Sequence, residues 1–438
     1  MFKDIRGYFE LLERHGFLDR RIDEVELDAI PRQLVEQEKR GNAVIFENIK
    51  GYRYPLFNNV FGKRDFLATV FGCPIEKVVD VFGERMERRI APVLIEDAPV
   101  QEVVLANGGF DIRDFPFIVH SARDAGRYIT GGMIIAKDPE TGVRNCSFNR
   151  LQLKGANKTG LRMSPTQDLE AYYRKAVALG KPLEIAVVIG SHPMCLLAAA
   201  CGPPRDVDEL EIAGALREEP IELVKCKTID LEVPAYAEVV LEGYIKPGEL
   251  EEEGPFGDFM EFYIEVMKNH VFHINCLTMR HDPMIQVIRA GSTDDVTLLG
   301  SPREAQIKKQ LTSMNIDVSA INIMICGNYL TCAVAIRKQI DFEAKNALMA
   351  AFGSFKFLKN CIIVDHDVNV FDPADIFWAL STRLRAEQGL LVVPNAVGFG
   401  RDKYGIHTTK LGIDATVPLD AWAEFERVTI FDPQAYEK

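Results

Sequence analysis

The sequence predicts a mixed α/β protein of more than one domain, and three observations support this fold class. The chain has 438 residues, a length that usually forms two or three domains. Helical patterns dominate its first hundred residues, short strand patterns fill the middle, and helices alternate with strands towards the C-terminus. We therefore predict an N-terminal α/β segment (1–105), a strand-rich middle domain (106–295) and a C-terminal α/β domain (296–438).

Composition and charge exclude several function classes. The chain is 47% hydrophobic and 26% charged, and its formal net charge is −13. An acidic balance without a basic block argues against a nucleic-acid partner, and no apolar run reaches the roughly 18 residues that a membrane span needs. The nine cysteines include no CxxC pair, and several lie in apolar runs, as reduced core residues do. Because the N-terminus enters an amphipathic helix directly, without a signal-peptide pattern, we expect a cytoplasmic protein with no membrane partner.

The N-terminal segment begins with a well-specified helix. Residues 6–15 carry apolar side chains at Tyr8, Leu11 and Leu12, on one helical face, and Gly16 is a suitable C-cap. The same segment contains three further predicted elements, which are a strand at 44–46 and helices at 63–71 and 75–87.

The middle domain reads as an antiparallel sheet or barrel. Its predicted strands are 128–136, 185–189, 195–200, 221–228, 237–241, 270–277 and 284–288. One helix interrupts them, with Ser164 as N-cap, Pro165 at the first helical position and Gln167 completing a capping box. Asp168 then falls in the first turn, where the helix dipole favours its charge, and Gly180 ends the helix.

The C-terminal domain reads as a small α/β unit. Residues 301–304 form a second capping box, and Gly327-Asn328 predicts a hairpin turn between strands at 321–326 and 329–336. The remaining predicted elements are helix 342–352, strand 361–365 and helix 374–384. Residues 395–414 are rich in glycine and charge, so we expect an ordered loop or arm there.

The segment EGPFGD at 253–258 is the most informative in the chain. Its two glycines and its proline demand special backbone angles and remove an amide donor, which predicts neither a helix nor a regular strand. A rigid segment can hold Glu253 and Asp258 at a fixed separation, as general acid–base chemistry requires. Taken alone, the hexapeptide favours an acidic surface turn over a catalytic segment.

Other polar signals lie in the same domain. Asn145 and Arg150 flank a short strand, Gln167 and Asp168 start the helix, and Glu209 follows a run of small residues. Each has an ordinary structural explanation: a turn residue, a surface ion pair, a helix-terminal charge or a solvated face. Together they supply hard oxygen ligands that suit Mg²⁺ or Mn²⁺ rather than zinc. The small-residue run would let the backbone approach a cofactor phosphate.

Taken in order, these motifs resemble those of the UbiD family of reversible decarboxylases over essentially the full length of the chain. That family uses prenylated FMN, a divalent metal and a monovalent cation. The segments that carry the resemblance are NCSFNR at 145–150, LLAAACG at 196–202, ELEIAGALR at 209–217, ELVKC at 222–226, AEVVLEGY at 237–244, EGPFGD at 253–258 and KLGIDAT at 410–416.

The resemblance implies roles for particular residues. Asn145 and Glu209 match two ligands of a Mn²⁺ (or Mg²⁺) ion that holds the flavin phosphate. The third ligand is a histidine in the family, and its position falls at Asp168 here, a departure that still leaves an oxygen ligand. Arg150, Glu253 and Asp258 match the catalytic arginine and two acids; Asp258 is shorter than the commoner glutamate by one methylene. The other implied contacts to prenylated FMN or to the monovalent cation (K⁺ or Na⁺) are Cys146, Ser147, Gln167, Ala198, Ala199, Cys201 and Lys338.

The resemblance also implies an architecture and partners. We expect a central split β-barrel that binds the flavin, and a C-terminal domain that forms a homodimer or a hexamer through helix 374–384 and the glycine-rich segment. A flavin prenyltransferase would supply the cofactor. The expected substrate is a small unsaturated aromatic or heteroaromatic acid that releases CO₂, in a pocket lined by Phe259, Met260, Ile288, Arg289 and Leu298 or Leu299.

Two alternatives remain open. A split-barrel flavin oxidoreductase would need an NAD(P)H site, but no GxGxxG follows a predicted strand. A non-catalytic accessory subunit of a decarboxylase complex would have no need of Arg150 or the acid pair, and both are present.

Overall fold

The computed structural model describes residues 2–428, and these divide into two compact units between residues 305 and 306. The division into three parts at 105/106 and 295/296 stays a prediction. The last ten residues of the predicted C-terminal domain, 429–438, lie outside the described residues.

The first unit combines helices with four sheets. Its helices are α1 (Ile5–Arg14), α2 (Ile30–Arg40), α3 (Arg64–Phe71), α4 (Val78–Met86), α5 (Asp168–Ala178), α6 (Pro193–Ala199), α7 (Glu209–Arg217) and the start of α8 (Thr293–Ser313). Its strands are β1 (Leu18–Arg21), β2 (Ala43–Phe46), β3 (Leu56–Asn58), β4 (Val93–Leu94), β5 (Val103–Ala106), β6 (Tyr128–Ile129), β7 (Gly132–Lys137), β8 (Arg144–Phe148), β9 (Leu151–Leu153), β10 (Lys158–Leu161), β11 (Leu183–Ile189), β12 (Glu222–Lys225), β13 (Glu232–Pro234), β14 (Val239–Glu253), β15 (Phe256–Gly257), β16 (Tyr263–Ile264), β17 (Met267–Met279) and β18 (Ile285–Gln286).

The N-terminal elements confirm the sequence patterns. Helix α1 is capped by Asp4, whose side chain accepts a hydrogen bond from the backbone N–H of Gly7 at 2.9 Å, and it buries Ile5, Tyr8 and Leu12 on one face. The predicted strand 44–46 lies in β2, within a four-stranded sheet of order β1-β2-β3-β18.

A nine-stranded sheet forms the centre of the first unit. Its order is β6-β9-β10-β17-β14-β11-β7-β8, and β5 also pairs with β17. The long antiparallel strands β14 and β17 form its middle, and the EGPFGD segment follows the end of β14. In the described residues the end strands β6 and β8 do not pair with each other, so this sheet is open and not a closed barrel.

Helix α5 covers one face of this sheet, where Leu169, Tyr172 and Ala176 join its apolar core. The helix begins at Asp168, three residues later than the capping box predicts. Residues 165–166 form a turn instead, and Gln167 takes the N-cap position. Half of the predicted box is still present, because the Gln167 side chain accepts the backbone N–H of Ser164 at 2.7 Å.

The predicted strand at 195–200 is wrong, because most of this segment lies in helix α6. Pro193 occupies the first helical position and His192 caps the helix with its ring nitrogen. Every residue of α6 is buried, so no polar face marks the helical period in the sequence.

The second unit is built on a five-stranded sheet of order β19-β20-β21-β23-β22. Its elements are β19 (Asp317–Ile323), β20 (Thr331–Arg337), α9 (Glu343–Ser354), β21 (Asn360–Asp365), α10 (Pro373–Thr382), α11 (Ala386–Gly389), β22 (Leu390–Val397) and β23 (His407–Ala415). The antiparallel pairing of β19 with β20 confirms the predicted hairpin.

Two predictions for the C-terminal region are wrong. The capping box at 301–304 lies inside α8, with Pro302 within the helix. The expected loop at 395–414 contains the end of β22 and most of β23, which pairs with β21 on one side and β22 on the other. Strand β23 is hard to recognise in the sequence because its buried positions include the polar residues Thr408 and Lys410, so burial does not follow an alternation of apolar and polar residues. Among residues 2–428, no helix combines the length and the apolar character that crossing a membrane requires.

Candidate active site

The two acids predicted from EGPFGD are both buried. Glu253 is the last residue of β14 and is fully buried, and Asp258 is 5% exposed. Between them, Gly254 adopts φ +95°, a left-handed backbone angle that favours glycine. Phe256 and Gly257 pair with Tyr263 and Ile264 to form a two-residue ladder. We call residues 253–258 the acid loop.

Arg150 and Glu253 form a buried two-pronged ion pair. Arg150 lies between β8 and β9, and its Nε and Nη2 donate to Glu253 Oε1 and Oε2, each at 2.8 Å. The guanidinium also lies over the Phe256 ring, 4.6 Å from its centroid. Asn269 Nδ2 donates to Glu253 Oε2 at 2.9 Å, so the carboxylate is held from two sides.

One nitrogen of this arginine remains available. Arg150 Nη1 is buried and has no hydrogen-bond partner among the described residues. A buried N–H that lacks an acceptor costs free energy, and a bound anion such as a carboxylate would remove that cost. The ion pair therefore presents a fixed donor for an acidic ligand.

Asn145 and Glu209 form a second buried polar pair. Asn145 lies in β8 and Glu209 begins α7, and Asn145 Nδ2 donates to Glu209 Oε1 at 2.9 Å. The backbone N–H of Cys146 donates to Glu209 Oε2 at 2.9 Å. The start of α7 is anchored beside them, because Asp208 caps the helix and accepts Arg144 Nε at 2.8 Å and Nη2 at 2.6 Å.

The Asn145–Glu209 pair combines a carboxyl group of raised pKa with an amide oxygen that lacks a hydrogen-bond partner among the described residues. Burial raises the pKa of Glu209 to about 8, and the donors Cys146 N–H and Asn145 only partly oppose it. Asn145 Oδ1 is buried and has no hydrogen-bond partner in the described part of the chain. A hard divalent ion could take Asn145 Oδ1 and a carboxylate oxygen of Glu209 as ligands. By themselves, the His, Cys, Asp and Glu side chains of residues 2–428 form no group of three or more that could hold a metal.

Asp168 is the first residue of α5, and Arg205 Nε donates to its Oδ1 at 2.6 Å. Burial raises the pKa of the Tyr172 phenol, and the charges of Asp138, Glu209 and Asp168 raise it further. Gln167 accepts Asn149 Nδ2 at 2.9 Å.

The small-residue run lies at the end of α6. Ala198, Ala199 and Cys201 are all buried, and α6 packs against α7 and β8, which carry Glu209 and Asn145. Burial raises the pKa of the Cys201 thiol to about 12, and it also raises the pKa of Cys146. Burial therefore favours the neutral thiol at both cysteines. Ser147 Oγ donates to Asn149 Oδ1 at 3.3 Å.

Lys338 belongs to the second unit, where its Nζ donates to Val417 O at 2.7 Å and Asp341 Oδ1 at 3.2 Å.

Arg289, predicted to line the substrate pocket, forms a two-pronged ion pair with Glu38 at 2.6 and 2.5 Å, so its charge is already paired. The other predicted pocket residues are Phe259, Met260, Ile288 and Leu298, which are buried, and Leu299, which is half-buried.

Sequence reasoning missed four residues around the acid loop. They are Asn269 beside Glu253, Tyr128 next to the Phe256 ring, and Asp124 and Gln152, which bind the loop backbone. Asn269 lies just before the predicted strand 270–277, and only the structure shows that it is buried in β17.

Comparison with known proteins identifies the family. Residues 93–293 match the 3-octaprenyl-4-hydroxybenzoate carboxy-lyase Rift-related domain of UbiD, and residues 10–86 and 296–415 match the N-terminal and C-terminal domains of the same carboxy-lyase. An anhydromevalonate phosphate decarboxylase of Methanothermobacter thermautotrophicus is 34% identical over 415 residues, covering 93% of this chain and 96% of the relative. The chain belongs to the UbiD family.

Solved UbiD-class structures share the whole fold. The UbiD-class enzyme HmfF from Pelotomaculum thermopropionicum, in complex with FMN, superposes with a TM-score of 0.94 at 35% identity, covering 99% of this chain and 100% of HmfF. An evolved dimeric form of HmfF is known in complex with prFMN (TM-score 0.90, 35% identity, the same coverage). The apo 3,4-dihydroxybenzoic acid decarboxylase from Enterobacter cloacae superposes with a TM-score of 0.91 at 25% identity, covering 100% of this chain and 99% of the other. This UbiD-family protein is therefore an enzyme, a carboxy-lyase.

Proposed function

We propose that this UbiD-type decarboxylase acts reversibly and without net oxidation on a small aromatic or heteroaromatic acid. The observation that carries the proposal is the buried Arg150, which Glu253 holds by two hydrogen bonds while its Nη1 has no partner among the described residues. A guanidinium in this state is a preorganised donor for a substrate carboxylate.

Arg150, Glu253 and Asp258 would divide the work. Arg150 binds the substrate carboxylate, and Glu253 keeps the guanidinium aimed at it. As the bond between the carboxyl carbon and the ring breaks, CO₂ leaves without the bonding electron pair. The carboxyl group of Asp258 then gives its proton to the carbon that lost CO₂. Carboxylation is the same sequence in reverse.

Prenylated FMN is the proposed cofactor, supported by the FMN and prFMN complexes of HmfF. When bound, it supplies an electron sink for the pair released from the breaking carbon–carbon bond. Asn145, Glu209 and Asp168 would hold a Mn²⁺ (or Mg²⁺) ion beside it. Asn145 Oδ1, which has no partner in the described chain, and the buried Glu209 support this donor set.

Further contacts and partners follow from the same proposal. The residues that would contact the cofactor or a monovalent cation (K⁺ or Na⁺) are Cys146, Ser147, Gln167, Ala198, Ala199, Cys201 and Lys338. The central sheet would serve as the split barrel for the flavin, within three domains divided at 105/106 and 295/296. We also propose a cytoplasmic homodimer or hexamer that receives its cofactor from a flavin prenyltransferase.

The test uses protein co-expressed with a flavin prenyltransferase. Release of CO₂ is measured with benzoate, 2-furoate and pyrrole-2-carboxylate, and exchange of labelled CO₂ into each acid is followed in parallel. We expect turnover of at least one acid and its loss in the Asp258→Asn variant, with the cofactor still bound. Turnover by Asp258→Asn at the wild-type rate would refute the acid role.

A further inference from the structure

The acid loop is fastened to a neighbouring segment of the chain, residues 120–126. The carboxylate of Asp124 accepts the backbone N–H of Gly257 on Oδ1 at 2.8 Å. Its Oδ2 accepts the N–H groups of Ser121 at 2.8 Å and of His120 at 3.2 Å. One side chain thus joins the turn at 120–124 to the residue that directly precedes Asp258.

Three further contacts join the same two segments. The backbone N–H of Ala125 donates to Pro255 O at 2.9 Å. Gln152 is 3% exposed, and its amide accepts Gly254 N–H at 3.2 Å and donates to Ala125 O at 3.1 Å. The contact is also close-packed at Gly257, where an added Cβ would come within 2.6 Å of Ser121 Oγ.

Only a carboxylate fits the Asp124 position. Backbone N–H groups approach both of its oxygens, so both must be acceptors. An asparagine would turn its NH₂ group towards at least one of these donors and would leave that N–H without a partner. Burial raises the pKa of Asp124, while the three N–H groups and the charge of Arg150 act in the opposite direction.

We propose that Asp124 is a positioning residue that fixes the acid loop and thereby places the carboxyl of Asp258 for proton transfer. This inference rests on the proposed role of Asp258 and adds the group that sets its position. Asp124 touches the backbone of the loop, so its effect belongs to the chemical step and not to substrate affinity. Misplacing a reacting group by about 1 Å can cost about 100-fold in rate.

The test compares Asp124→Asn with Glu242→Gln in the prenylated-FMN holoenzyme. Glu242 is the matched control, because it is fully buried and gathers the backbone N–H groups of Lys227 and Thr228, away from the acid loop. For Asp124→Asn we expect kcat to fall about 10- to 100-fold on the acid that wild type turns over fastest, with KM changed less than about twofold. The solvent deuterium isotope effect on kcat should rise, because proton delivery becomes slower relative to the other steps.

A second readout does not depend on the substrate. In hydrogen–deuterium exchange of the holoenzyme, Asp124→Asn should raise exchange at residues 254–258, and Glu242→Gln should not. The inference is overturned if Asp124→Asn keeps the wild-type kcat and isotope effect, if its loop exchange is unchanged, or if its lost activity only follows lost cofactor. An active Asp258→Asn enzyme would refute the proposed function instead, whatever Asp124→Asn does.

Discussion

Two buried glutamates of the first unit, Glu253 and Glu209, meet very different surroundings. Glu253 is fully buried and faces a guanidinium fork and an amide, so a permanent positive charge balances its own. Glu209 is 3% exposed, and its donors, Cys146 N–H and Asn145 Nδ2, are neutral. Glu253 therefore has a counter-charge within the protein. Glu209 has a raised pKa instead, and the neighbouring Asn145 Oδ1 has no hydrogen-bond donor in the described chain. The difference is between a buried carboxylate whose counter-charge is an arginine and a buried carboxylate whose hydrogen-bond partners are all neutral.

Removing the arginine should have the largest effect. Arg150→Met leaves Glu253 buried without its counter-charge, which should cost about 3–5 kcal/mol of unfolding free energy and abolish turnover. Urea denaturation and CO₂ release measure the two effects. The double variant Arg150→Met/Glu253→Leu should regain most of the stability and none of the activity. A single variant as stable as wild type would show that the pair does not compensate the buried charge.

A third buried carboxylate, that of Asp294, should make the unfolding free energy depend on pH. Burial raises the pKa of Asp294 to about 7 from an ordinary 3.8, although backbone N–H groups of Phe61, Val60 and Asn59 oppose the rise. Between about pH 4 and pH 7 the folded state therefore holds a proton that the unfolded state has lost. The unfolding free energy contributed by this group should fall as pH rises through that window, by at most about 4 kcal/mol, and should stay level above it.

Urea denaturation from pH 4.5 to 7.5 measures this slope, with Asp294→Asn as the control. The variant should lose this part of the pH dependence. An equal slope in the variant and in wild type would mean that Asp294 ionises at its ordinary pH in the folded protein.

A substitution in the proposed cation site should change the affinity for Mn²⁺ more than it changes the unfolding free energy. Glu209→Gln should weaken Mn²⁺ binding about 100-fold or more, because it removes the charged ligand. Its unfolding free energy should stay within about 1 kcal/mol of wild type, since a flipped Asn145 amide can accept from the new glutamine. Calorimetric titration with Mn²⁺ decides the point, and Glu242→Gln should bind Mn²⁺ as wild type does. Equal affinities in Glu209→Gln and wild type would remove Glu209 from the metal site.

The smallest expected effect is at Asn269. Asn269→Leu removes one hydrogen bond from Glu253 but leaves the guanidinium in place. The unfolding free energy, measured by thermal unfolding, should therefore fall by about 1–2 kcal/mol. Turnover should survive at a reduced rate. A loss as large as that of Arg150→Met would mean that the amide, and not the guanidinium, stabilises the buried carboxylate.

Much of this arrangement could be predicted from the sequence, for physical reasons that differ by region. Helix α1 and the β19–β20 hairpin carry clear periodicity and turn chemistry, and both were predicted. The glycines and the proline of the acid loop predict neither a helix nor a regular strand. The absence of a helix is confirmed, but Glu253 ends β14 and Phe256–Gly257 form the short strand β15. The sequence does not predict helix α6 or strand β23, because one is buried on all sides and the other is rich in glycine and charge.

The candidate site divides in the same way. Arg150 and Glu253 are 103 positions apart in sequence, and only the motif resemblance connected them before the structure did. Asp124 and Gln152 bind backbone atoms of the acid loop, so no pattern of side chains in the sequence predicts their contacts. Whether Asp168 completes the Asn145–Glu209 pair stays a prediction, and its contact with Arg205 is what a metal would have to compete with.

We expect the Asn145–Glu209 pair to bind the divalent cation that accompanies prenylated FMN in this enzyme. The most direct measurement is mass spectrometry of the chromophore released from protein co-expressed with a flavin prenyltransferase, with metal analysis of the same sample. We predict prenylated FMN and about one Mn²⁺ per chain, the number that a single site of this donor set can hold. Unmodified FMN or no flavin, with no divalent metal, would contradict the claim.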